Sequence, residues 1–157
     1  MKNRTTVERK SDRELVVTRT FDSPARTVFE AWTQPALFRQ WWAPKSMGAT
    51  LLSCEMDVRP GGGYRMEFGQ QGSGSMAFFG KYTEVTPNAR LAWTNDESDD
   101  GAVTTVSFED QAGKTLLVFH ELYPSKEACD GACAGAQGMM PEQFGQLDEL
   151  LVSLGAD

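Results

Sequence analysis

The residues able to carry chemistry are few in this 157-residue chain: one histidine, three cysteines and a scatter of strand carboxylates. His120 as a general acid or base needs a Ser or Cys nucleophile beside it and an acid to orient it. Glu121 follows directly, and on a strand it points to the opposite face. A strand histidine with a satisfied hydrogen bond is therefore the default reading. Cys129 and Cys133 are four apart and share a helical face. With His120 they make three zinc donors, one short of a structural site, and Cys54 is remote. The pair reads as buried thiols beside Ala132, Ala134 and Gly135. Glu55, Asp57, Glu67 and Glu84 lie in or beside strands, and ion pairs with Arg59, Arg65 or Lys81 account for them. As an acid–base set, His120, Glu67, Glu84 and Tyr82 are the candidates. Residues 72–77 fit G-x-G-x-x-A, but Ala77-Phe78-Phe79-Gly80-Lys81-Tyr82 reads as a strand where a dinucleotide site needs a helix. No cofactor or metal is expected.

The aromatic and methionine side chains are more informative. Trp32, Trp41, Trp42, Tyr64, Met66, Phe68, Phe78, Phe79, Tyr82, Trp93, Phe108, Phe119, Met139, Met140 and Phe144 exceed what one thin core needs. Any one of them is explained by core packing. As a group they suit the lining of a space for an apolar, ring-containing ligand, methionine adapting to varied shapes. The lining candidates are Trp32, Trp41, Tyr64, Met66, Phe68, Phe78, Tyr82, Trp93, Phe119, His120, Met140 and Phe144. Tyr64, Met66 and Phe68 share a strand face. Phe78 and Tyr82 share another, with Gly80 between them to allow a bend or a close approach.

The elements that must position these residues follow from periodicity. Residues 14–21 are β-branched and read as a strand. Ser23 is positioned to cap a helix over 24–32 with Pro24 first, its apolar face being Ala25, Val28, Phe29 and Trp32. A second short helix opens at Pro35, presents Leu37, Phe38 and Trp41, and ends at Ala43-Pro44. Strands follow over 50–57, 63–68, 75–85, 90–94, 103–109 and 114–123, separated by Gly-, Pro- and Asp-rich turns. Asp96-Glu97-Ser98-Asp99-Asp100-Gly101 reads as a solvated acidic loop. A terminal helix, capped by Ser125, carries Met140, Phe144, Leu147, Leu151 and Leu154 at spacings of four, three, four and three. Pro141 predicts a kink or a split within it. Residues 1–13 are polar and basic and read as a frayed tail, with residues 14–157 as a single domain.

The fold class expected is α+β, with six to seven antiparallel strands curved around one long C-terminal helix and two short helices after the first strand. A space between sheet and helix is where a ligand belongs. The net charge of −7 argues against nucleic acid or an anionic membrane as partner. The odd cysteine count argues against a disulfide framework, and the N-terminal residues have no apolar core of a secretory signal. No apolar run reaches membrane-spanning length. The expected location is the reducing cytoplasm.

Four segments resemble the heat-shock-protein ATPase activator homology family, within the START and birch-pollen-allergen (SRPBCC) superfamily. They are Thr18-Arg19-Thr20-Phe21-Asp22-Ser23-Pro24 with Val28-Phe29 and Ala31-Trp32; Leu37 with Trp41-Trp42-Ala43-Pro44; Asp57-Val58-Arg59-Pro60-Gly61-Gly62; and Gly138-Met139 with Leu147-Asp148 and Leu150-Leu151. The resemblance spans about residues 14–154 and implies a helix-grip fold with an internal cavity. It implies no fixed catalytic set. Pro141 and Gln143 depart from the family pattern, which has an uninterrupted helix and a larger apolar side chain there. The function expected is binding of a small hydrophobic or aromatic molecule. The alternatives are a cavity enzyme of cyclase, hydrolase or lyase type, and a protein-interaction or co-chaperone-like module, including a homodimer. Chaperone activation is not the function expected, since the residues read as this one domain.

Overall fold

The computed structural model describes residues 5–43, 49–70, 74–96 and 101–154. Among the described residues, eight strands and three helices follow one another: β1 (Thr6–Arg9), β2 (Glu14–Phe21), α1 (Ala25–Thr33), α2 (Pro35–Phe38), β3 (Ala49–Met56), β4 (Gly63–Gln70), β5 (Gly74–Thr86), β6 (Arg90–Thr94), β7 (Val103–Gln111), β8 (Lys114–Leu122) and α3 (Lys126–Leu154). The strands form one antiparallel sheet in the order β1-β2-β8-β7-β6-β5-β4-β3. Short turns explain the sequential neighbours, while β2 reaches β8 only because α1 and α2 carry the chain across to the far edge. The architecture is the expected α+β one with a long C-terminal helix, enlarged by one strand. That strand is β1, which lies inside the segment read as a frayed tail. Its Val7 pairs with Val17, and Arg9 reaches Asp130 on α3.

The period-two pattern divides the sheet cleanly. Leu15, Val17 and Phe21 on β2, Leu117 and Phe119 on β8, Val106 and Phe108 on β7, and Leu91 on β6 are all buried. The register aligns them across strands, Val17 with Phe119 and Phe119 with Val106. This inner face is covered by the helices. Among the described residues, α3 packs nearest β1 and β2, α1 nearest β7 and β8, and α2 nearest β3.

Local chemistry sets the helix ends. α1 starts after Pro24, whose carbonyl accepts from Thr27 and Val28; Ser23 makes no cap hydrogen bond. The carbonyl of Ser23 instead accepts from Thr115 Oγ1 at 2.7 Å, pinning the β2–α1 turn to β8. Ser125 does cap α3, accepting from the Ala128 N–H at 3.1 Å. α3 runs unbroken through Pro141, so the predicted split does not occur. A proline costs roughly 3 kcal/mol in a helix interior. The buried Met140, Phe144, Leu147 and Leu151 hold the helix against that cost.

Candidate functional site

Trp32 is the centre of the inner face. It is 1% exposed, and seven rings lie within 6.3 Å of it, those of Phe38, Trp41, Trp42, Trp93, Phe108, Phe119 and Phe144. Its indole N–H is buried with no hydrogen-bond partner among the described residues. Trp41 is fully buried as well, but its indole donates to the Ala31 carbonyl at 3.0 Å, locking the end of α2 to α1.

Twelve side chains were expected to line a space, and the structure sorts them into three groups. Trp32, Trp41, Tyr82, Phe119, Met140 and Phe144 are buried in one apolar core, Tyr82 against Tyr64 and Trp93. Tyr64, Met66, Phe68, Phe78 and Trp93 also face inward, on β4, β5 and β6, and of these Phe68, Phe78 and Trp93 keep part of their surface accessible. Trp42 and Cys54 are part-exposed in the same way. The Phe68 and Phe78 rings meet edge-on at 5.4 Å, and Trp93 meets Tyr64 and Tyr82 at 6.4 and 6.3 Å. The accessible aromatic surface therefore lies at the β4–β6 side, away from the strands on which α1 and α3 pack.

His120 belongs to neither group. It pairs with Val16 and Thr105 on the outer face, opposite to Phe119, and its Nε2 lies 2.8 Å from Glu14 Oε2. The inward placement expected of it is corrected by strand parity alone. Glu67 and Glu84 also point outward, Glu67 toward Arg65 at 3.7 Å and Glu84 toward Arg90 at 3.0 Å. Only Tyr82 of the acid–base candidates faces inward, where burial raises its hydroxyl pKa well above the ordinary value. The four do not converge.

Glu121 is the inward-facing acid that the sequence reading passed over. It shares the buried row of Leu117, Phe119 and Tyr123, a row that residue types alone do not mark because Leu116 and Val118 make the opposite face apolar too. Glu121 Oε2 accepts from Thr104 Oγ1 at 2.8 Å, and Oε1 accepts from the Tyr123 hydroxyl. Thr104 in turn accepts from Asn95 Nδ2 at 3.0 Å, and Asn95 Oδ1 accepts from Tyr64 at 3.1 Å. Burial first, then the Glu121 charge, pushes the Tyr123 hydroxyl upward, so Tyr123 stays a donor. The cysteine pair sits nearby on α3, with its sulfurs 3.6 Å apart and both thiols free. Among the described residues no group of three or more His, Cys, Asp or Glu is arranged to hold a metal ion. The G-x-G-x-x-A segment falls partly outside the described residues, and Gly74 onward is strand β5.

The Asp-x-Arg-x-Gly-Gly turn is docked on the same region. Arg59 Nε donates to both Asp57 oxygens, at 3.0 and 2.9 Å. Gly61 N–H donates to Tyr82 O, and Tyr82 N–H donates to Gly62 O. A Cβ at Gly62 would lie 2.1 Å from Asp57 O, so the turn closes only with glycine there.

A family model described as activator of Hsp90 ATPase homolog 1-like protein matches residues 22–152. The chain belongs to that family. Solved structures repeat the helix-grip fold. A Rhodobacter sphaeroides protein is 23% identical over 96% of this chain and 99% of its own, with a TM-score of 0.87. A Staphylococcus epidermidis protein is 25% identical over 94% of each chain, at 0.81. An AHSA1-like protein from Aeromonas hydrophila is 20% identical over 90% of this chain and 95% of its own, at 0.70. No curated protein matches. For this family member the match begins eight residues beyond the expected start at residue 14 and leaves β1 outside it. Among the described residues no helix is long and apolar enough to cross a membrane.

Proposed function

We propose that the protein binds a small, mainly apolar, ring-containing molecule against the inner face of β4–β6. The observation that carries this reading is the accessible surface kept by Phe68, Phe78 and Trp93 on β4–β6, while Trp32, Trp41, Phe108, Phe119 and Phe144 are buried. Apolar walls with few polar groups are what small-molecule sites present. The family fold, a curved sheet around one helix, is consistent with this use, but fold analogy alone does not assign a ligand. The dispersal of His120, Glu67 and Glu84 to the outer face supports a binder over an enzyme built on those residues.

The test is a titration of tryptophan emission with a panel of fatty acids, isoprenoids and polycyclic aromatics. A saturable quench or shift is expected, because Trp93 borders the proposed site. It should weaken in Trp93→Phe. A flat response across the panel, with no small molecule retained in native mass spectrometry, counts against the reading.

A further inference from the structure

Cys129 and Cys133 sit one turn apart on α3, and their sulfurs lie 3.6 Å from each other with both thiols free. Two sulfurs held about 2.3 Å from one tetrahedral centre lie about 3.8 Å apart, whereas a linear centre needs about 4.6 Å. The observed separation therefore matches a bent sulfur–centre–sulfur bite with α3 intact. A disulfide does not fit the same backbone. It needs β-carbons about 3.5–4.5 Å apart, and residues four apart on a helix hold theirs at about 5–6 Å. Among the described residues no group of three or more His, Cys, Asp or Glu is arranged to hold a metal ion, so a centre bound here takes its protein ligands from this pair. Asp130, the acid next to Cys129, is already shared by Arg9 and Lys126, so a bare cation gains little. Cys133 is 9% exposed, and the Arg9 and Asp130 side chains beside the pair are 33% and 43% exposed, so the sulfurs lie close beneath an accessible ion pair.

We propose that Cys129 and Cys133 form a two-sulfur site for a trivalent, thiophilic centre that carries one substituent of its own, the class of monosubstituted trivalent arsenicals. Such a centre is pyramidal, needs only two protein sulfurs and arrives uncharged as the arsonous acid. Condensation breaks its two As–O bonds and forms two As–S bonds. Each thiol proton leaves with a hydroxyl group as water, and neither arsenic nor sulfur changes oxidation state. The product is neutral, which suits a buried place where an unpaired charge is costly. Burial keeps the Cys129 thiol protonated, and the condensation consumes that proton. α3 packs on β1 and β2, so this site is separate from the aromatic surface of β4–β6 and does not rest on the binding function proposed above.

The experiment treats the native, reduced protein with methylarsonous acid in the presence of excess 2-mercaptoethanol, a monothiol that strips arsenic from any single cysteine. Intact-mass spectrometry is expected to show one methylarsenic unit per chain in place of two protons, removed by ethanedithiol but not by the monothiol. Peptide mapping should place it on the tryptic peptide that follows Lys126, which holds Cys129 and Cys133 but not Cys54. Cys129→Ala and Cys133→Ala should each weaken uptake about a hundredfold or more, the loss of a two-point attachment, while Cys54→Ala leaves it unchanged. Circular dichroism checks that each variant is folded, and the wild-type peptide map decides the matter if neither is. Helicity should be the same before and after uptake, because the bite fits the intact helix. Absence of uptake by the native protein, loss of arsenic to the monothiol, mapping to Cys54, unchanged uptake in a folded single variant, or a fall in helicity on binding overturns the site.

Discussion

Gln146 on α3 donates from Nε2 to two backbone carbonyls, Trp41 O at 3.0 Å and Ala43 O at 2.9 Å. Gln143, one turn earlier, donates to Trp42 O at 2.6 Å. Both glutamines are buried, so the last turn of chain after α2 is tied to α3 by amides rather than by apolar contact alone. Gln143 stands where the family resemblance led us to expect a larger apolar residue, and it secures Trp42 in place of filling space. Gln146→Leu is expected to lose about 2 kcal/mol, the cost of leaving buried acceptors without their donor. Urea unfolding should show a lower midpoint at an unchanged slope.

Trp32 and Trp93 should separate packing from binding. Trp32→Ala empties the centre of the ring cluster and is expected to cost about 3–5 kcal/mol. Trp93 is part-exposed, so Trp93→Phe should change stability by less than about 1.5 kcal/mol while diminishing any ligand-induced emission change. Thermal unfolding and fluorescence titration of the same two variants check the division. Equal stability losses would place Trp93 in the packed core instead.

Gly80 has a specific reason to be glycine. A Cβ there would lie 2.0 Å from Thr94 O and 3.0 Å from Tyr64 Cε2, and Thr94 O is the same oxygen that accepts the Tyr64 hydroxyl at 2.7 Å. Gly80→Ala must therefore push β5 and β6 apart and disturb the Tyr64 hydrogen bond. The expected loss is about 1–3 kcal/mol, in the range of overpacking. A heteronuclear NMR spectrum should show shifts concentrated at residues 64, 80 and 94–95 rather than across the sheet.

Much of this arrangement was legible from residue order. Tyr64, Met66 and Phe68 alternate with charged neighbours, so their shared inward face could be read directly. The same parity, applied at Phe119, decides between His120 and Glu121, but only once Phe119 is known to be inside. Nothing in residues 114–123 says which face that is until β8 is seen between β2 and β7. β1 was illegible for another reason: Thr6–Arg9 is short and charged, and it becomes a strand by pairing with β2. The expected split at Pro141 does not occur because local propensity lost to the packing of α3. The accessible and buried aromatic residues are indistinguishable by type, since their difference lies in which helix crosses which strand.

The three thiols should react in an order set by burial. Cys54 is half-buried, whereas Cys129 is fully buried and Cys133 nearly so. Burial raises the Cys129 pKa, and the hydrogen bond with Cys133 adds to it; burial also raises that of Cys54, with Arg39 opposing. Iodoacetamide acts on thiolates, so alkylation of the native protein followed by peptide mass mapping should label Cys54 first. Cys129 and Cys133 should become reactive together in urea. Early labelling of Cys129 in native buffer would mean that the first turns of α3 open readily.

The pair formed by Glu14 and His120 gives the fold a defined acid sensitivity. Glu14 is held below its ordinary pKa of 4.5, chiefly by the hydrogen bond to His120 and next by one to Ser11. A carboxyl with a depressed folded-state pKa contributes stability that is present above the ordinary value and is lost as pH falls through the depressed one. Stability should therefore decline as acid is added from about pH 4.5 downward. Asp130 behaves alike, lowered first by Arg9 and then by Lys126, so the tie between β1 and α3 weakens over the neighbouring acidic range. Glu14→Gln removes the titrating group while keeping an acceptor for His120. It should lower stability slightly near neutral pH and flatten the acid limb of a urea-midpoint-against-pH curve. His120→Ala should flatten that limb too, because it frees Glu14 from its main partner. An acid limb of unchanged slope in both variants would locate the sensitivity at Asp130, and Asp130→Asn would then be the variant that removes it.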